Sequence, residues 1–470
     1  MQNSQLILIL KSFSKKELRE LRKWLDSPAH NQREDVIQLF EYLTWGDYLD
    51  NERYLKKEKI FSKIFPNEPF DDAKLRQTMH FLLKATEDFL LWQEYQEDPV
   101  QMRITLAGVY RKRKLNKVFL KTVRLSEELQ EKSAYRNEAY LRNEYLLQQE
   151  KYMFHEGKEH TTKRMNLQEV SDALDMTFIA EKLRQSCLML AHQAVYRADY
   201  QMRFLKELIE YVHNSDLMQV PSIAIYYYSY RMLSERDNPM YFEELKKQIE
   251  QNGHLFPNSE TQVIYVAAIN YCIGRLNLGE EKYFREAFEL YRRGLEEKIL
   301  IQNDTIDPYT FTNVSAISLK LKEFKWLDHF IHNFKDYLEA QHRENFFQFN
   351  LARLRYEQKD YDAAMRLLAQ TDFDDILINL NAKVMLFKMY YELEEIDAME
   401  SLLVSMRAYL QRKKIMGYGR SNYQNFIRYS AKLLRVSPYN SAQKDKLRQQ
   451  ISSADRVAER DWLLKQLEAL

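Results

Sequence analysis

The sequence is poor in the residues that break helices. Among its 470 residues are only nine glycines and nine prolines, far below the typical usage of about 7% and 5%. Glycine and proline interrupt helices and populate the turns that link strands. Their scarcity excludes a large β domain and favours helices joined by short turns.

The chain also lacks cysteine clusters, long apolar runs and a strong net charge. Cys187 and Cys272 are the only cysteines, which gives neither a metal-ligand spacing nor a disulfide framework and fits a reducing compartment. The longest apolar run near the start, at 6–10, is too short for a signal peptide or a membrane span. A net charge of +1 gives no overall attraction to nucleic acid or membranes. We therefore expect a cytoplasmic protein without a membrane segment.

Signals of catalysis are equally scarce. The sequence holds no glycine-rich phosphate loop, no G-x-S-x-G motif and no C-x-x-C motif. His329 and His332 share a helix face, but a metal site would need further ligands beside them. We predict no enzyme activity, no catalytic residue, no cofactor, no metal and no small-molecule substrate. An enzyme whose catalytic pair comes from distant helices stays an alternative.

What the sequence does contain is an internal repeat. FNLARLRYEQKDYDAAMRLL (349–368) aligns with VMLFKMYYELEEIDAMESLL (384–403) at a spacing of 35, and TFTNVSAISLKLKEFKWLDHFI (310–331) matches at a spacing of 37. A period near 34 residues is typical of stacked helical hairpins. The sequence therefore predicts an all-α solenoid.

The repeat resembles the tetratricopeptide family. Ala352 and Ala364 stand at the family's small positions on the first and second helix, and Tyr361 at the aromatic position after the turn. Phe387 and Met399 replace the small residues in the next unit. The likeness covers 310–405 and implies a right-handed superhelix whose first helices line a concave groove. The resemblance implies that six residues line this groove: Phe349, Arg353, Tyr356, Val384, Lys388 and Tyr391.

Arg353 and Lys388 recur at the same register of consecutive repeats. We call them the basic ladder, because they could face a peptide carboxylate or acidic side chains. Four tyrosines cluster in a separate helix: Tyr226, Tyr227, Tyr228 and Tyr230. These either pack with their hydroxyls at the rim of the core or line a groove as amphipathic anchors.

Three regions follow from the pattern. Residues 1–98 form a helical module of four predicted helices, in which Ser14 and Glu17 have the spacing of a capping box. Residues 99–435 form the tetratricopeptide-like superhelix. Residues 436–470 hold two capping helices, at about 441–452 and 454–469.

A basic segment breaks the charge balance, since 99–126 contains no acidic residue. Besides Arg103, it carries what we call the basic stripe: Arg111, Lys112, Arg113, Lys114, Lys117, Lys121 and Arg124. The same segment predicts a buried helix face made of Val118, Phe119, Thr122, Leu125 and Leu129. The stripe either contacts phosphates or an acidic protein, or is neutralised by nearby acids such as Glu127, Glu128 and Glu131.

These observations favour a non-catalytic scaffold or adaptor that holds a protein or extended peptide in its groove. The alternative is a regulator associated with nucleic acid through the basic stripe.

Overall fold

The computed structural model describes residues 3–156, 165–196, 198–369, 375–412 and 418–470. Over these ranges the chain is helical, and its only β feature is an isolated bridge between Gln302 and Thr305. The predicted all-α class is confirmed. Among the described helices, none is long and apolar enough to span a membrane.

The chain forms two compact units, Met1–Glu181 and Lys182–Leu470. The predicted boundaries at 98/99 and 435/436 stay predictions. In the first unit, a 3-10 turn at Glu52–Tyr54 accompanies these helices: α1 Gln5–Ser12, α2 Lys15–Asp26, α3 Glu34–Leu43, α4 Lys57–Ile64, α5 Asp72–Gln96, α6 Pro99–Lys112, α7 Asn116–Lys132, α8 Glu138–Glu156 and the start of α9 Leu167–Tyr196.

The second unit begins within α9 and continues with 3-10 turns at Asp216–Gln219, Gly253–Leu255 and Lys335–Tyr337. Its remaining helices are α10 Leu205–His213, α11 Pro221–Ser234, α12 Pro239–Asn252, α13 Asn258–Asn277, α14 Tyr283–Glu296, α15 Pro308–Lys320, α16 Phe324–Phe334, α17 Ala340–Glu357, α18 Tyr361–Ala369, α19 Ile376–Glu392, α20 Ile396–Arg412, α21 Tyr418–Leu433, α22 Ser441–Ser453 and α23 Arg460–Ala469.

The N-terminal residues confirm the predicted cap and add a helix. Ser14 Oγ accepts a hydrogen bond from the Glu17 backbone N–H at 3.2 Å, and the Glu17 carboxylate accepts one from the Ser14 N–H at 2.6 Å. This box starts α2. The prediction of four helices in 1–98 is wrong, because α1 is a fifth. Its Leu6, Ile7 and Leu10 are buried in the same core as α2 to α5, so tertiary packing stabilises a helix of only eight residues.

Five helical hairpins share one kind of turn. The second residue after the first helix adopts a left-handed conformation, and two backbone hydrogen bonds return to that helix as in the Schellman motif. In α17–α18, for example, Lys359 N–H donates to Tyr356 O and Asp360 N–H donates to Arg355 O, both at 2.9 Å. The left-handed residues are Lys114, Gly279, Lys322, Lys359 and Glu394. Glycine is normally favoured at this position, but only one of the five turns has it. The other four place a lysine or a glutamate there, which fits a chain with few glycines.

The repeated segments fold as consecutive hairpins. Helix α15 contacts α16 and α17, α17 contacts α18 and α19, and α19 contacts α20. The left-handed residues Lys322, Lys359 and Glu394 follow one another at the spacings of 37 and 35 found in the sequence. The prediction of helical hairpins in 310–405 is confirmed for the described residues.

The C-terminal helices close the core of the last hairpins. Leu447, Ile451, Leu463 and Leu467 are buried in one cluster with residues of α19, α20 and α21. Helix α22 matches its prediction, whereas α23 begins at Arg460 and not near 454. Glu459 precedes it with a positive φ, so the chain changes direction there.

Candidate functional site

The residues predicted to line the groove lie mostly inside the core. Phe349, Tyr356 and Val384 are only 4%, 8% and 4% exposed. The expectation that they face an open groove is therefore wrong. Helix α17, which carries Phe349 and Tyr356, contacts α15, α16, α18 and α19, and helix α19, which carries Val384, contacts α17, α18 and α20. Few positions on either helix therefore remain free.

The basic ladder is occupied by the chain itself. Lys388 Nζ lies 2.8 Å from Glu459 Oε2, and the Lys388 side chain is only 14% exposed. The same ammonium group lies 5.0 Å from the centre of the Tyr356 ring. Arg353 is half-buried, with Nη1 3.4 Å from Asn350 Oδ1. Burial lowers the pKa of Arg353, while the nearby Glu459 and Glu357 carboxylates oppose the shift.

Trp462 of α23 completes this cover. Its ring lies 5.3 Å from the ring of Tyr391 and 6.1 Å from that of Phe387. Lys388 thus faces a carboxylate of the chain's own C-terminal segment, whereas the sequence predicts one from a bound peptide. An external peptide would have to displace Glu459 and Trp462 to reach the ladder.

An open groove lies elsewhere in the second unit, along α9, α11 and α13. We call it the α9–α13 groove. It encloses about 330 Å³, within the range of small binding pockets. Leu188, Val263 and Val266 are 38%, 48% and 43% exposed in its walls. The other lining residues are Arg184, Cys187, Ala191, Tyr226, Ser229, Leu233, Ser259, Glu260, Gln262, Ile264, Ala267 and Asn270.

Two protonated groups lie within this groove. Tyr226 donates its hydroxyl hydrogen to Glu260 Oε2 at 2.7 Å. Burial, and then the Glu260 carboxylate, raise the pKa of Tyr226. Burial also raises the pKa of Cys187, whose thiol lies 3.5 Å from the Tyr226 carbonyl oxygen. A thiol in this state is a poor nucleophile, so the arrangement suits binding through apolar contacts and hydrogen bonds.

The tyrosine cluster was the one sequence signal at this groove. Tyr226 lines its wall. Tyr227 is buried, and its hydroxyl accepts a hydrogen bond from Arg231 Nη1 at 3.0 Å. Both rings are thus packed in the core, and the role of the tyrosines as anchors for a partner stays a prediction. The sequence repeat does not identify the remaining lining residues. Helices α9 and α13 are longer than the repeat helices at 310–405 and do not align with them.

The basic stripe divides into one paired and six exposed cations. Arg111 Nε lies 2.8 Å from Glu150 Oε2. Within the described ranges no ion pair involves the other six, which are all exposed: Lys112, Arg113, Lys114, Lys117, Lys121 and Arg124. Glu127, one of the acids expected to neutralise them, pairs with Lys151 instead. Arg103 is half-buried.

The predicted buried face of α7 is wrong for three of its five residues. Phe119 and Thr122 are buried, whereas Val118, Leu125 and Leu129 are exposed. The buried face consists of Phe119, Thr122, Val123, Ser126 and Gln130. Its polar members are hydrogen-bonded, with Ser126 Oγ donating to Thr122 O at 2.9 Å and Gln130 Nε2 to Tyr140 O at 2.7 Å. Satisfied polar groups can be buried without a large penalty.

The histidine pair shows ordinary helix contacts. His332 Nδ1 lies 2.8 Å from Asp328 O, and Asn333 Nδ2 lies 2.9 Å from the His329 ring nitrogens. Across the described residues, no three side chains of His, Cys, Asp or Glu come together as metal ligands.

Comparison with known proteins gives no relative: neither a family model nor a curated protein matches the chain.

Proposed function

We propose that this protein is a non-catalytic helical-repeat scaffold that binds a partner protein or extended peptide in the α9–α13 groove. The observation that carries the proposal is an open apolar groove of about 330 Å³ lined by three helices of the second unit. The proposal includes a right-handed, tetratricopeptide-like superhelix. The contacts from α15 to α20 support the consecutive order of its hairpins. The partner site differs from the predicted one, because the basic ladder is covered by Glu459 and Trp462.

The groove favours a partner that inserts an apolar side chain and places its own polar backbone groups on either side of it. Leu188, Val263 and Val266 expose apolar surface that a leucine or aromatic side chain of the partner would cover. Asn270 offers its amide group to the partner's backbone, and Gln262 offers its amide nitrogen, since Gln262 Oε1 already accepts a hydrogen bond from Gln302 Nε2. Burying an anchor residue among satisfied polar groups is the usual basis of a binding hot spot.

A cytoplasmic location is part of the proposal. Cys187 and Cys272 are both free, and a reducing compartment keeps thiols in that state.

The test compares two surface changes on the full chain. Val263→Glu with Val266→Glu places two carboxylates in the groove, whereas Val404→Glu changes a valine of α20 that is 65% exposed. Peptides are selected from a random phage-displayed library on the wild-type protein. We expect them to keep binding to Val404→Glu and to lose about tenfold or more in affinity for the groove variant. Equal binding to both variants would remove the groove from the proposal, provided that circular dichroism shows both folded.

The alternative, a nucleic-acid-associated regulator, has one supporting observation: six exposed cations of the basic stripe without an ion pair in the described part of the chain. However, exposed leucines run beside these cations, and a phosphate backbone has no apolar surface to cover them.

A further inference from the structure

Helix α7 carries a second apolar stripe that its own unit does not bury. Val118, Leu125 and Leu129 are 42%, 36% and 36% exposed. With Thr122 they follow one another at spacings of four, three and four residues. This is the spacing of the a and d positions of a coiled coil. We call these four residues the α7 seam; Leu115, which is 45% exposed, stands before them at the N-cap of α7.

The seam is distinct from the face that holds α7 in place. Helix α7 packs on α6 and α8 through a face that includes Phe119, Val123 and Ser126. At 3.6 residues per turn, the seam is centred roughly 80° around the helix from that face. Only Thr122, which is 5% exposed, belongs to both.

Positive charge borders the N-terminal half of the seam on its outer side. Lys121 directly precedes Thr122 and corresponds to a g position of a heptad, whereas Glu128 holds the next g position, before Leu129. Lys117 and Arg124 lie one step further around the helix. Lys117, Lys121 and Arg124 are exposed, and no ion pair involves them within the described ranges.

We propose that the α7 seam docks an amphipathic helix of a partner protein, with apolar residues at its own a and d positions and acidic residues opposite the lysines. The heptad spacing selects a helix, because an extended chain presents side chains with a period of two. The bordering cations select acidic flanks. The seam extends over about 17 Å, or three helical turns. This proposal uses residues of the first unit only and does not depend on the α9–α13 groove.

The experiment measures binding of synthetic helical peptides to the full chain by fluorescence anisotropy. The first probe has about three heptads, with leucine at a and d and glutamate at e and g. A second probe replaces the glutamates with lysine, and a third replaces the leucines with serine. A labelled single-stranded oligonucleotide is the fourth. We expect the first probe to bind at least about tenfold more tightly than each of the others.

Matched variants locate the binding. Leu125→Glu places a charge in the seam, and Leu120→Glu places one on the opposite side of α7, at a leucine that is 46% exposed. We expect Leu125→Glu to weaken the first probe at least about tenfold and Leu120→Glu to change it less than about twofold. Reversing Lys117, Lys121 and Arg124 to glutamate should transfer the preference to the lysine probe. Reversing the exposed Lys16 and Lys23 of α2 is the charge control.

Four results would overturn the proposal. The first is no binding of the glutamate probe, and the second is equal binding of the glutamate and lysine probes. The third is a loss caused equally by Leu125→Glu and Leu120→Glu. The fourth is tight binding of the oligonucleotide that depends on the three cations but not on Leu125, which would assign this face to nucleic acid. Far-ultraviolet circular dichroism of each variant confirms that the helices are intact.

Discussion

The basic ladder and the α9–α13 groove lie on helices of the same unit but differ in what covers them. At the ladder, Glu459 pairs with Lys388 and Trp462 packs on Phe387 and Tyr391. At the groove, Val263 and Val266 remain nearly half exposed. The comparison teaches that a pattern of apolar and charged residues on a repeat helix identifies a surface that other residues cover, either from another protein or from the same chain. Whether the chain supplies that cover itself depends on residues far away in the sequence.

The largest expected difference between the two regions is in stability. Phe387 is fully buried, with its ring 5.5 Å from that of Phe426. Phe387→Ala should lower the free energy of unfolding by about 4 kcal/mol, because it removes buried apolar surface and leaves a cavity. Val263→Ala should cost less than about 0.5 kcal/mol, because that side chain is half in water already. Urea denaturation measures both, and equal costs would contradict the distinction between a closed and an open surface.

Much of this architecture is readable from the sequence, because it depends on local signals. Ser14 and Glu17 predict their capping box, and the repeat at 349–403 predicts its hairpins. The α7 seam shows where such reading fails. The sequence predicts that Leu125 and Leu129 are buried, because they are apolar, whereas the structure buries Ser126 and Gln130. Two hydrogen bonds make that choice favourable: one from Ser126 to Thr122 O within α7, and one from Gln130 to Tyr140 O across the turn between two helices.

The residues that cover the basic ladder could not be predicted from the sequence either, because they are distant from it along the chain. Glu459 lies 71 residues from Lys388, and its position depends on how α22 and α23 return to α19 and α21. No pattern within one repeat contains that information. The sequence predicts an acidic group of a bound peptide beside Lys388, and the structure places an acidic group of the chain itself there.

The second prediction concerns the pH dependence of stability at α19, the helix that carries Lys388 of the basic ladder. Burial acts to raise the pKa of Glu392 in this helix, but hydrogen bonds from Tyr361 and Lys359 outweigh burial and lower the pKa overall. A lowered folded-state pKa stabilises the protein above the unfolded pKa of about 4.3, and this stabilisation is lost as the pH falls through the folded pKa. Glu392→Gln should therefore reduce stability at pH 7 and have a smaller effect near pH 3. A pH-independent cost would show that the carboxylate charge is not responsible.

The ion pair that closes the ladder should contribute modestly. Lys388→Ala and Glu459→Ala form a double-mutant cycle, whose coupling energy we expect to be about 1 kcal/mol, because Lys388 is largely buried while the Glu459 side chain is 42% exposed. Urea denaturation of the four proteins measures it. The pair of Arg285 and Glu323 is the control, since both of its side chains are more than one third exposed. The coupling energy of the Arg285–Glu323 pair should be smaller than that of the Lys388–Glu459 pair. A larger coupling energy for Arg285–Glu323 would show that burial does not determine the strength of these ion pairs.

The smallest expected effect compares the same turn in the two regions. Gly279 follows α13 of the groove, while Lys322 follows α15 of the repeat, and both adopt a left-handed conformation. A side chain costs about 1–2 kcal/mol in that conformation, but glycine also loses more backbone entropy on folding, by about 0.5–1 kcal/mol. Lys322→Gly should therefore stabilise the protein by about 0.5 kcal/mol, and Gly279→Ala should destabilise it by a similar amount. No atom lies within 4 Å of a Cβ added at Gly279, so steric collision cannot explain the loss. Changes of the same sign in the two variants would show that contacts around each turn, and not the left-handed backbone, set its stability.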